Sequence, residues 1–112
     1  MWRASVLLIF SSAFASPLGV SPGWSDLSSS MAKMHGAMVS MQSSGDSDID
    51  FVRLMLPHHR AAVDMAKAEL LHGTDPQMRR LAQEIVTDQQ SEIAVMQLWI
   101  EQHKARASSA SR

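Results

Sequence analysis

The sequence contains no cysteine and no tyrosine. Without cysteine no disulfide can staple the fold, so packing alone must hold it, and any soft metal ligand must be a thioether rather than a thiolate. In an oxidising compartment a thioether site has the advantage that disulfide formation cannot shut it. With tyrosine absent and strand-like alternation of Val, Ile and Thr hard to find, composition favours helices. Neither sign of charge dominates, with 10 Lys and Arg against 11 Asp and Glu. No basic block occurs either, so nothing points to nucleic acid or to an anionic membrane surface.

Several catalytic and cofactor patterns are missing too. There is no Cys-x-x-Cys-His for covalent haem, no His-Glu-x-x-His for a zinc hydrolase, no glycine-rich phosphate loop and no nucleophile elbow. A di-iron carboxylate bundle needs Glu-x-x-His on two helices, yet Glu92 and Glu101 are followed three residues on by Val95 and Lys104. The expectation is a protein that is not an enzyme. What the chain has in quantity is methionine, nine residues, together with five histidines in a total of 112, which is one domain at most.

The first residues read as an export signal. Arg3 supplies a positive charge, Val6 to Ala15 is a short apolar run, and Ala13-Phe14-Ala15 fits a small-x-small cleavage site. Residues 1–15 are thus assigned as a signal peptide and the location as periplasmic or secreted. The alternative is a retained anchor; against it, spanning takes about 20 apolar residues, and Ser11, Ser12 and Ser16 interrupt this run early. Residues 16–25, with two prolines and two glycines, form a linker.

Three helices are expected in the domain that follows, residues 26–104. The first, about 26–42, is capped by Ser25 or Asp26 and carries Met31, Met34, His35, Met38 and Met41 on one broad face. Only Leu27 and Val39 add other large aliphatics, and a face made of methionine specifies packing poorly. A turn at 43–47 leads, through a cap at Ser47 or Asp48, into a helix over about 48–72. There Ile49, Val52, Leu56, His59, Val63, Ala66 and Leu70 step by 3 and 4. A parallel row holds Phe51, Met55, His58, Ala62, Met65 and Glu69. Pro57 removes a backbone donor, so a kink or break is expected there. Gly73 as a left-handed C-terminal residue, then Asp75 as cap with Pro76 in the first turn, signals a tight hairpin into a third helix over about 76–104. His72 and His103 are assigned to helix-end and surface roles, and residues 105–112 to a disordered tail.

Antiparallel pairing with equal rise on each helix sets His58 and His59 level with Gln89, Met55 with Glu92, and Val52 with Met96. Met34 and Met31 fall level with Pro57 and Arg60. The polar interruptions of the second and third helices therefore share one layer, which the methionines of the first helix also reach. Buried polar groups need partners, and two readings follow. In one, His35, His58, His59, Met31, Met34, Met38, Met55, Met65 and Met96 supply metal ligands, with Glu92 and Gln89 orienting the imidazoles. Imidazole with thioether matches copper, Cu(I) above Cu(II), with silver as a surrogate. In the other, the His/Gln/Glu layer only fixes packing in a structural or partner-binding module. Neighbouring histidines point about 100° apart on a helix, so one ion in a regular helix is not gripped by both.

The run Met55-Leu56-Pro57-His58-His59 with Ala62 and Met65, followed by Ala82, Ile85, Gln89, Glu92, Met96 and Trp99, resembles the bacterial family catalogued as domain of unknown function 305. The resemblance covers residues 48–101. It implies an exported, ferritin-like helical bundle, with some members linked to periplasmic copper binding and tolerance. The combined expectation is an all-α antiparallel bundle of three main helices that buffers or transfers copper. The metal ion is its ligand. A homodimer or a copper-handling protein is its candidate macromolecular partner, with no nucleic acid and no membrane span after signal cleavage.

Overall fold

The computed structural model describes residues 19–109. The export-signal assignment, and the start of the linker, lie outside these residues. Three long helices dominate, α1 (Trp24–Met38), α2 (Ser47–His72) and α3 (Pro76–Gln102), followed by a short α4 (Lys104–Ser109). The protein is an all-α antiparallel bundle. No helix among the described residues is long and apolar enough to cross a membrane.

The helix α2 is the central element: α1 and α3 each pack against it, and they meet one another at most marginally. A helix flanked on two sides needs two apolar stripes, and α2 has them. Val52, Val63 and Ala66 lie within about 60° of one another around the axis, on the stripe that contains His59, whereas Ala61 and Ala68 lie nearly opposite; all five are buried. The small alanines, with Ala82 of α3, let the backbones approach closely. Among the described residues only Ile49, Val52, Val63 and Met96 are large apolar side chains in the buried core. Ile49, completely covered, stabilises the fold by about 1.5–3 kcal/mol.

Helix ends depart from expectation for identifiable reasons. The first helix starts two residues early, at Trp24, with Gly23 in the cap position and no side-chain cap. The Asp26 carboxylate does not cap its own helix because His72 Nε2 holds it at 2.8 Å. Trp24 itself is exposed. The helix also stops at Met38, short of Gln42, because the connection is held by side chains further on. Asp50 accepts from the Ser43 hydroxyl and the Ser44 amide, each at 2.7 Å, and Gly45 reverses the chain at φ 85, a region open to glycine.

Asp46, rather than Ser47 or Asp48, caps α2, accepting from the amides of Asp48 and Ile49. Pro57 neither breaks nor divides α2, which continues through it; packing on two sides outweighs the lost donor, a cost of about 3 kcal/mol. Gly73 is extended (φ −70, ψ 152), not left-handed. A left-handed cap is unnecessary, because the Arg79 guanidinium donates to the Leu70 carbonyl at 2.6 Å and to the Gly73 carbonyl at 3.1 Å. Asp75 caps α3 through the Met78 amide at 2.9 Å, with Pro76 in the first turn, as the sequence indicates.

At the C-terminus α3 ends at Gln102, and α4 replaces the start of the expected disordered tail. Arg106 explains the order. Its guanidinium pairs with Asp46 and reaches Asp48 at 3.8 Å, and it lies 5.8 Å from the centre of the Trp99 ring. His103, expected to be a plain surface residue, stacks on Trp99 with ring centroids 4.1 Å apart.

The two serine bonds, with a smaller contribution from Arg53, hold the Asp50 carboxyl down at about 2, and the Arg106 bond, then the Ile49 amide, lowers Asp46 from its ordinary value. A depressed carboxylate stabilises the fold fully above its unfolded-state value near 3.8, and that contribution is lost as pH falls toward about 2. The melting temperature is therefore expected to decline through this acid window, and Asp50→Asn is expected to flatten the decline. An unchanged acid limb in that variant counts against the assignment.

Candidate functional site

The polar layer forms where α2 faces α3. His59 is the structural centre of it, with its side chain only 15% exposed. Its Nδ1 donates to the Met55 carbonyl one turn earlier in the same helix, at 3.0 Å. Its Nε2 lies 2.6 Å from Glu92 Oε2 on α3. A carbonyl and a carboxylate oxygen are both acceptors, so making both bonds requires two hydrogens, one on Nδ1 and one shared between Nε2 and the Glu92 carboxyl. His59 thus has no spare lone pair in this arrangement. For Nε2 to hold a cation, Glu92 must withdraw, and its 59% exposure leaves it room to do so.

The pairing differs from the level expected from equal rise, which set Glu92 opposite Met55. Helical side chains lean toward their own N-terminus. In an antiparallel pair Glu92 therefore leans toward the level of His59, while His59 leans back toward Met55, and the two meet between. The backbone level itself holds: Val52 and Met96 line one groove, together with Asp48, Phe51, Val95 and Trp99.

The other predicted residues divide among three places. Met96 is buried at the α2–α3 contact. Gln89 lies one turn before Glu92; its Oε1 is completely enclosed and has no hydrogen-bond partner among the described residues. His58 is exposed, its ring 6.2 Å from that of His59 and tilted by 59°; no partner for it occurs among the described residues. Met55 and Met65 are half-buried, and by helical phase they flank His58 on the outer face of α2.

The α1 residues do not join this layer. Met34 lines a cavity of about 90 Å³ with Ala37, Pro57, Arg60 and Ala61. That side of α2 is turned away from His59, because Pro57 and His59 are about 160° apart around the axis. The expected single layer closed by the first helix is therefore two groups, and the reason is that α2 lies between α1 and α3. Met38 is half-buried at the end of α1, Met31 is 46% exposed, and His35 is exposed. These three share the methionine face with Met34, so two turns of α1 offer three thioethers and an imidazole. Among the described residues no three His, Cys, Asp or Glu side chains gather closely enough to hold a metal ion.

Sequence reasoning also missed contacts made at long range. Glu69-Leu70-Leu71-His72 has the Glu-x-x-His spacing, but His72 is engaged with Asp26, and the Glu69 carboxyl lies where a Cβ at Gly73 would stand. A lone acidic residue early in α1 and a histidine at the end of α2 signal such a clasp only once the helices are known to be antiparallel.

With the class of protein defined as an all-α bundle carrying a paired-histidine layer, the comparison with known families becomes specific. The family described as domain of unknown function (DUF305) matches residues 23–100. The chain belongs to this family, and the match takes in α1 as well as the paired histidines and the Gln-x-x-Glu segment. No curated protein matches the chain.

The exposure of Glu92 separates its role from that of the core. Glu92→Ala is expected to cost less than about 1 kcal/mol, in the range of an exposed ion pair, whereas Met96→Ala should cost about 2–5 kcal/mol. Urea unfolding followed by circular dichroism measures both. Equal losses for the two variants contradict this division.

Proposed function

We propose that this is an exported copper-binding protein that buffers or passes on copper and catalyses no reaction. The observation that carries this reading is the methionine face of α1. Met31, Met34 and Met38 take positions where leucine would pack, yet Met31 is substantially exposed and the other two are only half-buried. His35 stands beside them in the open. Thioether with imidazole is a donor set suited to Cu(I), with Ag as a surrogate, and the chain offers no thiolate to compete. His58, exposed and flanked by Met55 and Met65, is a second soft donor group on the other side of α2 and suits Cu(I) or Cu(II). His59 joins it only after releasing Glu92.

The closed His59–Glu92 pair favours a second reading for that part of the layer, in which it fixes how α2 sits on α3 and holds no metal. The two readings separate by variant. Competition with a Cu(I) chelator should show that replacing Met31, Met34 and Met38 together with Leu weakens Cu(I) binding at least tenfold while helicity is kept. His58→Ala should remove a further share, and Glu92→Ala should leave affinity equal or increased. Protein purified metal-free from copper-supplemented cells, with Cu(I) affinity no greater than that of free methionine and histidine, overturns the copper reading.

A further inference from the structure

We infer that the outer face shared by α2 and α3 is the docking surface for a second copy of this chain. The described chain leaves more large apolar side chains in solvent than it buries, and they are not scattered evenly. At one end of this face, Phe51 (62% exposed) and Val95 (66% exposed) open a groove of about 410 Å³ with Val52, Met96 and Trp99. At the other end, helical phase puts Met65 of α2 and exposed Leu81 of α3 on the same side. Between them stand exposed His58 on α2 and, on α3, exposed Glu84, Asp88 and Glu92, the last bonded to His59 of its own chain.

This order of groups is self-complementary. A two-fold axis running parallel to the helices sets α2 of each copy over α3 of the other, antiparallel and at the level the two already share within one chain. Phe51 then meets the other copy's Val95 and Trp99, Met65 meets Leu81, and His58 meets Asp88 beside Glu92. Apolar ends cover apolar ends, and the imidazole faces a carboxylate. The result is a four-helix core with α1 outside it. The area is sufficient. α2 is about 39 Å long at 1.5 Å per residue, and two helices side by side are about 20 Å wide. Each copy therefore offers about 800 Å², the share that a stable interface of standard size takes from each partner. A second copy is favoured over an unrelated apolar partner because the face itself supplies both the imidazole and the carboxylates that meet across it.

Sedimentation equilibrium of the full chain in buffer with a metal chelator tests this, independently of copper. A mass of two chains at micromolar concentration is expected, falling to one chain in both Phe51→Lys and Val95→Glu. Since both side chains are exposed in the single chain, far-UV circular dichroism should stay unchanged in these variants. Leu71→Lys, an exposed residue on the α1 side, should leave the dimer intact. A monomer at every concentration overturns the inference. So does a dimer that survives Phe51→Lys and Val95→Glu, or one that Leu71→Lys disperses with helicity retained.

Discussion

The packing of α2 on two neighbours at once is the constraint from which most other features follow. A helix buried on two sides must carry two apolar stripes, and at 3.6 residues per turn those stripes confine everything else to the two sectors between them. Alanine at 61, 66 and 68 keeps both contacts close. The same two-sided grip carries α2 through Pro57 without interruption, where an isolated helix would break. It also sorts the chemistry. Met34 meets the Pro57 side of α2, and Glu92 meets the His59 side. Donors expected in one layer therefore end on opposite sides of one helix.

Because no disulfide ties the chain, its connections depend on charged and polar side chains. Asp46, Asp50 and Asp75 organise the two turns. Arg79 satisfies carbonyls at the end of α2, and Arg106 closes the far end onto Asp46. Asp26 and His72 join the start of α1 to the end of α2. The middle of the molecule is treated differently. There Gln89 Oε1 is enclosed without a partner among the described residues, and His58 stands open. An enclosed acceptor left without a donor is costly, and it lies one turn from Glu92, which engages His59.

How much of this was legible in the sequence depends on the range of the interaction. Helical periodicity located all three long helices, and the Thr74-Asp75-Pro76 signal located the hairpin, because those are local properties of the backbone. Equal rise along paired helices brought Val52 to Met96 correctly. It missed the His59–Glu92 pair by one turn, since the meeting of two long side chains depends on the direction in which each leans. Capping failed wherever a remote group took the acceptor. Asp26 was claimed by His72 and Gly73 was relieved by Arg79, and neither is near its partner by pattern.

By itself, then, the sequence determined the helices, their antiparallel order and the stock of thioether and imidazole donors, because periodicity, capping chemistry and side-chain type are written residue by residue. Tertiary structure alone decided which of those donors can meet. The order in which the helices lie side by side is not encoded in any single period, and α2 came to lie between the methionines of α1 and the carboxylate of α3. That placement divided one expected site into two and engaged both nitrogens of His59. It also left the face of Phe51, His58 and Val95 uncovered.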